Sequence, residues 1–125
     1  MLIPLALFGT VQAAKAAESI VGRWAGTVFE KKIGNYTVYV EIHPNQKTGV
    51  VHFLRYPCGG TLVLESKTGQ SYLYRERLTF GQKKCVNNLN SRITWKAPNL
   101  VYFEEIIKGS SNVYGTLKRI IDVTP

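Results

Sequence analysis

The stretch Tyr36-Thr-Val-Tyr-Val-Glu-Ile42 puts Tyr36, Val38, Val40 and Ile42 on one side and Thr37, Tyr39 and Glu41 on the other. Side chains alternate across a strand with a period of two, so this segment reads as a β-strand with one apolar face. Pro44-Asn-Gln-Lys-Thr-Gly49 supplies turn chemistry, and residues 50–56 resume an extended pattern. Similar segments recur at 20–31, 60–66, 71–79, 92–97, 100–107 and 113–121, separated by Lys67-Thr-Gly-Gln70, a Gly/Lys loop over 81–90, Pro98-Asn99 and Lys108-Gly-Ser-Ser-Asn112. No long segment repeats apolar residues at helical spacing. Eight short strands with tight connections predict an all-β, eight-stranded antiparallel up-and-down barrel, because closing the meander removes its exposed edges. An open β-sandwich is the alternative arrangement.

The chain has 125 residues, 45% hydrophobic and 19% charged, with seven Tyr, five Phe and two Trp. That is one domain, expected over residues 20–122, and too rich in aromatics for a disordered chain. Sixteen Lys and Arg against eight Asp and Glu leave a formal charge of +8. Asp122 is the sole aspartate and there are two histidines, so acid–base chemistry has few carriers.

Residues 1–16 read as a secretory signal. A short apolar run over 2–11 precedes small-residue cleavage sites at Ala13 and Ala16, although no basic residue stands before Lys15. The run is too short to span a bilayer, which takes about 20 residues, so no transmembrane segment is expected after its removal. Cys58 and Cys85 are the two cysteines, an even count that predicts a disulfide in a periplasmic or secreted domain.

Gly22-Arg-Trp24 in the first strand and Arg119 in the last resemble the calycin pattern of lipocalins and avidins. That likeness implies a barrel closed at one end by Trp24 and Arg119. Most of the chain also resembles small exported bacterial domains that occur alone or as extracytoplasmic modules of some serine/threonine protein kinases. The shared pattern runs through Gly22-x-Trp24-x-Gly26, Gly49-x-Val51-x-Phe53 and Cys58-x-Gly60-x-Leu62. It continues through Glu76-x-Leu78-x-x-Gly81-x-x-x-Cys85 and ends in Gly115-x-Leu117-x-Arg119. The resemblance implies fold, disulfide and compartment; it implies no ligand or activity.

On the expected inner face lie Tyr72, Tyr74, Glu76 and Leu78; Val51, Phe53 and Arg55; and Leu100, Tyr102, Glu104 and Ile106, with Arg119 following Leu117. Glutamates and arginines sharing a barrel interior with tyrosines either orient a small ligand within aromatic walls or form an ion pair in a barrel filled by side chains. The filled barrel is the simpler of the two. On the expected outer face, Arg75, Arg77, Arg92 and Lys96, with Lys83 and Lys84 in the adjacent loop, make a basic surface with no acid on that face of those segments. It suits an anionic envelope polymer. No nucleic-acid motif accompanies it, so nucleic acid is not expected as a partner.

His43, His52 and Glu41 flank one turn and could gather, but as surface residues of a hairpin they predict no metal and no cofactor. A hydrolase using Glu76 and Glu104 would need an open cleft, so no enzyme is expected. The function expected is a non-catalytic binding or sensing module for a small ligand or an anionic envelope component. A second reading is an interaction module for another exported protein, using Val101, Phe103 and Ile107 as an outward apolar surface.

Overall fold

The computed structural model describes residues 19–121. The expected signal over 1–16 and the C-terminal Asp122 lie outside the described residues. Eight strands follow one another: β1 (Gly22–Glu30), β2 (Gly34–Ile42), β3 (Thr48–Phe53), β4 (Cys58–Thr68), β5 (Ser71–Phe80), β6 (Asn90–Ala97), β7 (Leu100–Ile107) and β8 (Ser110–Arg119). Each pairs antiparallel with the next, and β8 pairs back onto β1, closing the barrel. The sandwich alternative is excluded by that last pairing. Among the described residues no helix is long and apolar enough to cross a membrane.

The seam between β1 and β8 matches Trp24 with Arg119 and Phe29 with Tyr114. Midway along it a Cβ on Gly26 would collide with the Thr116 carbonyl oxygen, so the two strands approach where one lacks a side chain. The interior is packed by Trp24, Val38, Val40, Leu62, Tyr74, Ile93, Phe103 and Leu117, all fully buried.

The strand connections sort to two ends. The turns 43–47, 69–70 and 98–99 lie at one end with residues 19–21, and the turns 31–33, 54–57 and 108–109 lie at the other with the loop 81–89. The first end is plugged. The Arg119 guanidinium stacks 4.3 Å from the Trp24 ring centre and donates to the carbonyls of Val21 (2.7 Å), Ser19 (2.6 Å) and Pro98 (2.9 Å). Trp24 Nε1 donates to the Ile20 carbonyl at 2.9 Å. Gly22, at φ +128°, leaves room for the guanidinium: a Cβ there would stand 2.9 Å from Arg119 Nη1. The structure thus brings Trp24 and Arg119 together as a lid across one end.

Three expectations about inward faces are corrected. The third strand ends at Phe53, because Pro57 lacks a backbone donor for a ladder and residues 54–57 turn instead; Arg55 is an exposed turn residue. On β7 the register is the opposite of that expected, with Val101, Phe103 and Glu105 buried, so Tyr102 and Glu104 face outward. For the same reason Val101 and Phe103 offer no outward contact surface, and Ile107 lines the interior mouth instead. One face of this strand carries Leu100, Tyr102, Glu104 and Ile106 and the other Val101, Phe103, Glu105 and Ile107, so each sets one glutamate among aliphatic and aromatic residues and alternation alone does not choose between them.

Candidate functional site

At the unplugged end the barrel holds a cavity of about 270 Å³. Its wall includes Tyr36 from β2, Phe53 from β3, Tyr56 from the turn 54–57, and Val113 from β8. Ile33, Lys84, Val86 and Leu89 border it from the connecting loops, and Glu30, Glu76 and Glu105 supply its acidic groups. The loop 81–89 is tied to the wall by the Cys58–Cys85 disulfide, whose Cα atoms are 6.4 Å apart across 27 residues of chain. It is held further by Glu76 N–H donating to the Leu89 carbonyl (2.8 Å) and Leu78 N–H to Asn87 Oδ1 (2.9 Å).

Glu76 is 1% and Glu105 3% exposed, and their carboxyl groups lie within hydrogen-bonding reach of one another. Ser91 Oγ sits between them, 2.9 Å from Glu105 and 3.3 Å from Glu76. Burial pushes the Glu105 carboxyl well above the usual range, and the neighbouring Glu76 carboxylate pushes it further. Burial raises Glu76 as well, while hydrogen bonds from Glu105 and Ser91 oppose the rise. Two carboxyls this close share a proton rather than both ionise. Glu30 accepts hydrogen bonds from the Tyr36 hydroxyl (2.7 Å) and, at 3.4 Å, from that of Tyr56. Burial, then the Glu30 bond, raises the Tyr36 phenol and keeps it a donor. Among the described residues no Lys or Arg forms an ion pair with Glu30, Glu76 or Glu105.

The sequence-derived interior set divides. Glu76 belongs to this cavity. Tyr72 and Tyr74 point inward nearer the plugged end, where Tyr74 donates to the Gln46 carbonyl at 2.7 Å and the two rings lie stacked 6.5 Å apart. Arg55, Tyr102 and Glu104 are not part of it, so Glu76 and Glu104 do not face one another. Glu30, Tyr36, Tyr56, Ser91 and Glu105 were not singled out from sequence as site residues. The available signal was the opposite charge of Arg92 and Glu104, which belong on one outer face and thereby send Glu105 inward.

The basic outer wall is partly neutralised by acids from flanking strands. Arg75 Nε donates to Glu65 Oε2 at 2.7 Å, and Arg92 makes two bonds to Glu104 at 2.9 and 3.1 Å. Those bonds hold both carboxyls below their usual range. Lys96 lies over the Tyr102 ring, 5.9 Å from its centre, and Arg77 is exposed. Lys83 and Lys84 are on the loop at the cavity end, away from the strand wall. The two histidines do not gather with Glu41 as a metal site. His52 faces Tyr39 and packs on Phe80, while His43 Nε2 is 4.0 Å from Glu41. Among the described residues no group of three metal-ligating side chains occurs.

Fold and site define a closed eight-stranded β-barrel with one end plugged and a cavity at the other. No protein-family model matches the chain, and no curated protein matches it. Solved structures do. A redesigned β-barrel superposes with a TM-score of 0.60 at 18% identity, covering 85% of this chain and 96% of its own. A fluorescence-activating β-barrel designed de novo gives 0.54 at 17% identity, covering 84% and 97%. Likeness at that identity carries the architecture alone.

Proposed function

We propose that this chain is a non-catalytic binding module of an extracytoplasmic compartment that holds a small molecule in the open end of its barrel. The observation that carries the reading is the cavity of about 270 Å³, in which tyrosine and phenylalanine walls surround the hydrogen-bonded carboxyls of Glu76 and Glu105. Ligand pockets are mostly apolar concavities with a few polar groups that fix orientation, and this one is just below their usual range of about 300–1,000 Å³, which suits a small ligand. Buried carboxyls without a basic partner favour a ligand that brings a donor, above all a cationic amine, which the aromatic faces also attract. The Cys58–Cys85 bond and the resemblance to exported bacterial modules support a periplasmic or secreted location. The outer wall is a weaker anion site, because Arg75 and Arg92 are already paired.

Calorimetric titration with phenethylamine, phenethyl alcohol and 3-phenylpropionate tests the reading. The amine should bind best, with the alcohol weaker by roughly tenfold or more, since a cation desolvated against aromatic faces is worth about 2 kcal/mol. Val113→Phe, which fills the cavity from β8, should abolish the heat of binding. No heat from any of the three, or equal heats from Val113→Phe, would contradict a binding role for the cavity.

A further inference from the structure

The open end of the barrel is also an unusual surface. Its four connections carry Lys31, Lys32, Arg55, Lys83, Lys84 and Lys108, all exposed, and no Asp or Glu. The same loops expose Ile33 (37%), Leu54 (47%) and Val86 (62%). Phe29 and Phe80, also exposed, stand on the outer wall close to this end. Among the described residues, five of the eight large apolar side chains that are exposed therefore gather here, and the collar of cations surrounds them. The turns at the plugged end, 43–47, 69–70 and 98–99, carry Lys47 as their single Lys or Arg, and the large exposed apolar side chains at that end, Ile120 and Ile121, follow β8 outside those turns.

We propose that the open end docks onto an anionic lipid surface, with Ile33, Leu54 and Val86 entering the headgroup–acyl boundary and the surrounding lysines and arginine meeting lipid phosphates. Apolar tips gain by leaving water for that boundary, and each cation near an anionic leaflet adds attraction that falls off within a Debye length. Four loops that end on one barrel rim can meet a plane together. A globular protein partner would need a complementary acidic and apolar relief, whereas a bilayer offers phosphate over hydrocarbon everywhere. Because Ile33, Lys84 and Val86 also border the cavity, docking would place its mouth against the membrane. The proposal stands independently of what the cavity holds.

Vesicle sedimentation and fluorescence with the full, disulfide-bonded chain test it. The protein should partition to vesicles of equimolar phosphatidylglycerol and phosphatidylcholine and far less to phosphatidylcholine alone. Changing Lys31, Lys32, Lys83 and Lys108 to Gln should weaken partition by on the order of a hundredfold. Changing Lys47, Lys67, Lys96 and Lys118 to Gln, an equal loss of charge at the other end, should change it by less than about threefold. A gain-of-signal variant frees the test from any folding defect: Leu54→Trp emission should shift to the blue on anionic vesicles, and that of Val63→Trp, on the outer wall, should not. Equal losses from the two lysine sets, no shift from Leu54→Trp, or no preference for anionic vesicles would each overturn the proposal.

Discussion

Glu105 makes the site's energetics depend on pH. Its folded pKa lies above its unfolded value because of burial and the Glu76 charge. In that case the folded state binds more protons than the unfolded one above the ordinary carboxylate range, so stability falls as pH rises toward the folded pKa and is constant beyond it. Glu105→Gln keeps the shape, still donates to Glu76, and removes the titration. The variant is predicted to be more stable than the wild type near pH 8 by about 1–3 kcal/mol, with the advantage vanishing near pH 4, as read by urea unfolding. A variant that is equally destabilised at both pH values would show that Glu105 acts only by packing. At the other end, Arg119 satisfies three carbonyls and covers Trp24. Arg119→Met should cost at least about 2 kcal/mol, since those carbonyls lose a charged donor. A change within about 0.5 kcal/mol, the scale of an ordinary surface substitution, would deny the plug a structural role.

Among the elements, β5 and β7 show what alternation can and cannot specify. In β5, Arg75 and Arg77 fall between Tyr74, Glu76 and Leu78, and one face is plainly the wetter, so the sequence assigns Tyr72, Tyr74 and Glu76 inward and the structure has them there. In β7 the run Leu100-Val-Tyr-Phe-Glu-Glu-Ile-Ile107 offers two faces of equal character. Its register is settled by neighbours, with Arg92 opposite Glu104 outside and Ile93 opposite Phe103 inside. That choice is non-local, and it hid Glu105 and hence half of the carboxyl pair. Glu30 and Tyr56 were hidden for another reason: they meet at the rim only once the turns 31–33 and 54–57 are placed side by side. The β7 register is open to direct test. Phe103→Ala should cost about 3–5 kcal/mol and Tyr102→Ala less than about 1 kcal/mol in chemical denaturation. The reverse order would restore the opposite register.

At the scale of the molecule, barrel closure, a plugged end and a stapled loop leave an opening at the cavity end of the described residues. The number of strands and the two cysteines were legible because each rests on local pattern or simple counting, and the Trp24–Arg119 pairing because the calycin resemblance implies it. The opening was not, because a filled and a partly hollow barrel share the same alternation. The disulfide is where fold and site meet, since it holds the loop 81–89 beside the cavity. Replacing Cys58 and Cys85 together by Ala should lower stability by about 3–4 kcal/mol on the chain-entropy account. It should also weaken amine binding more than Arg119→Met does, because the loosened loop forms part of the cavity wall. The cavity's role is tested most directly by nuclear Overhauser contacts between bound phenethylamine and the protein. The ring protons should show contacts to the Val113 and Ile107 methyls, with amide shifts gathered at Glu30, Tyr56, Glu105 and Asn112. Contacts confined to outer-wall side chains such as Val63 and Leu73, or none at saturating amine, would contradict a ligand site inside the barrel mouth.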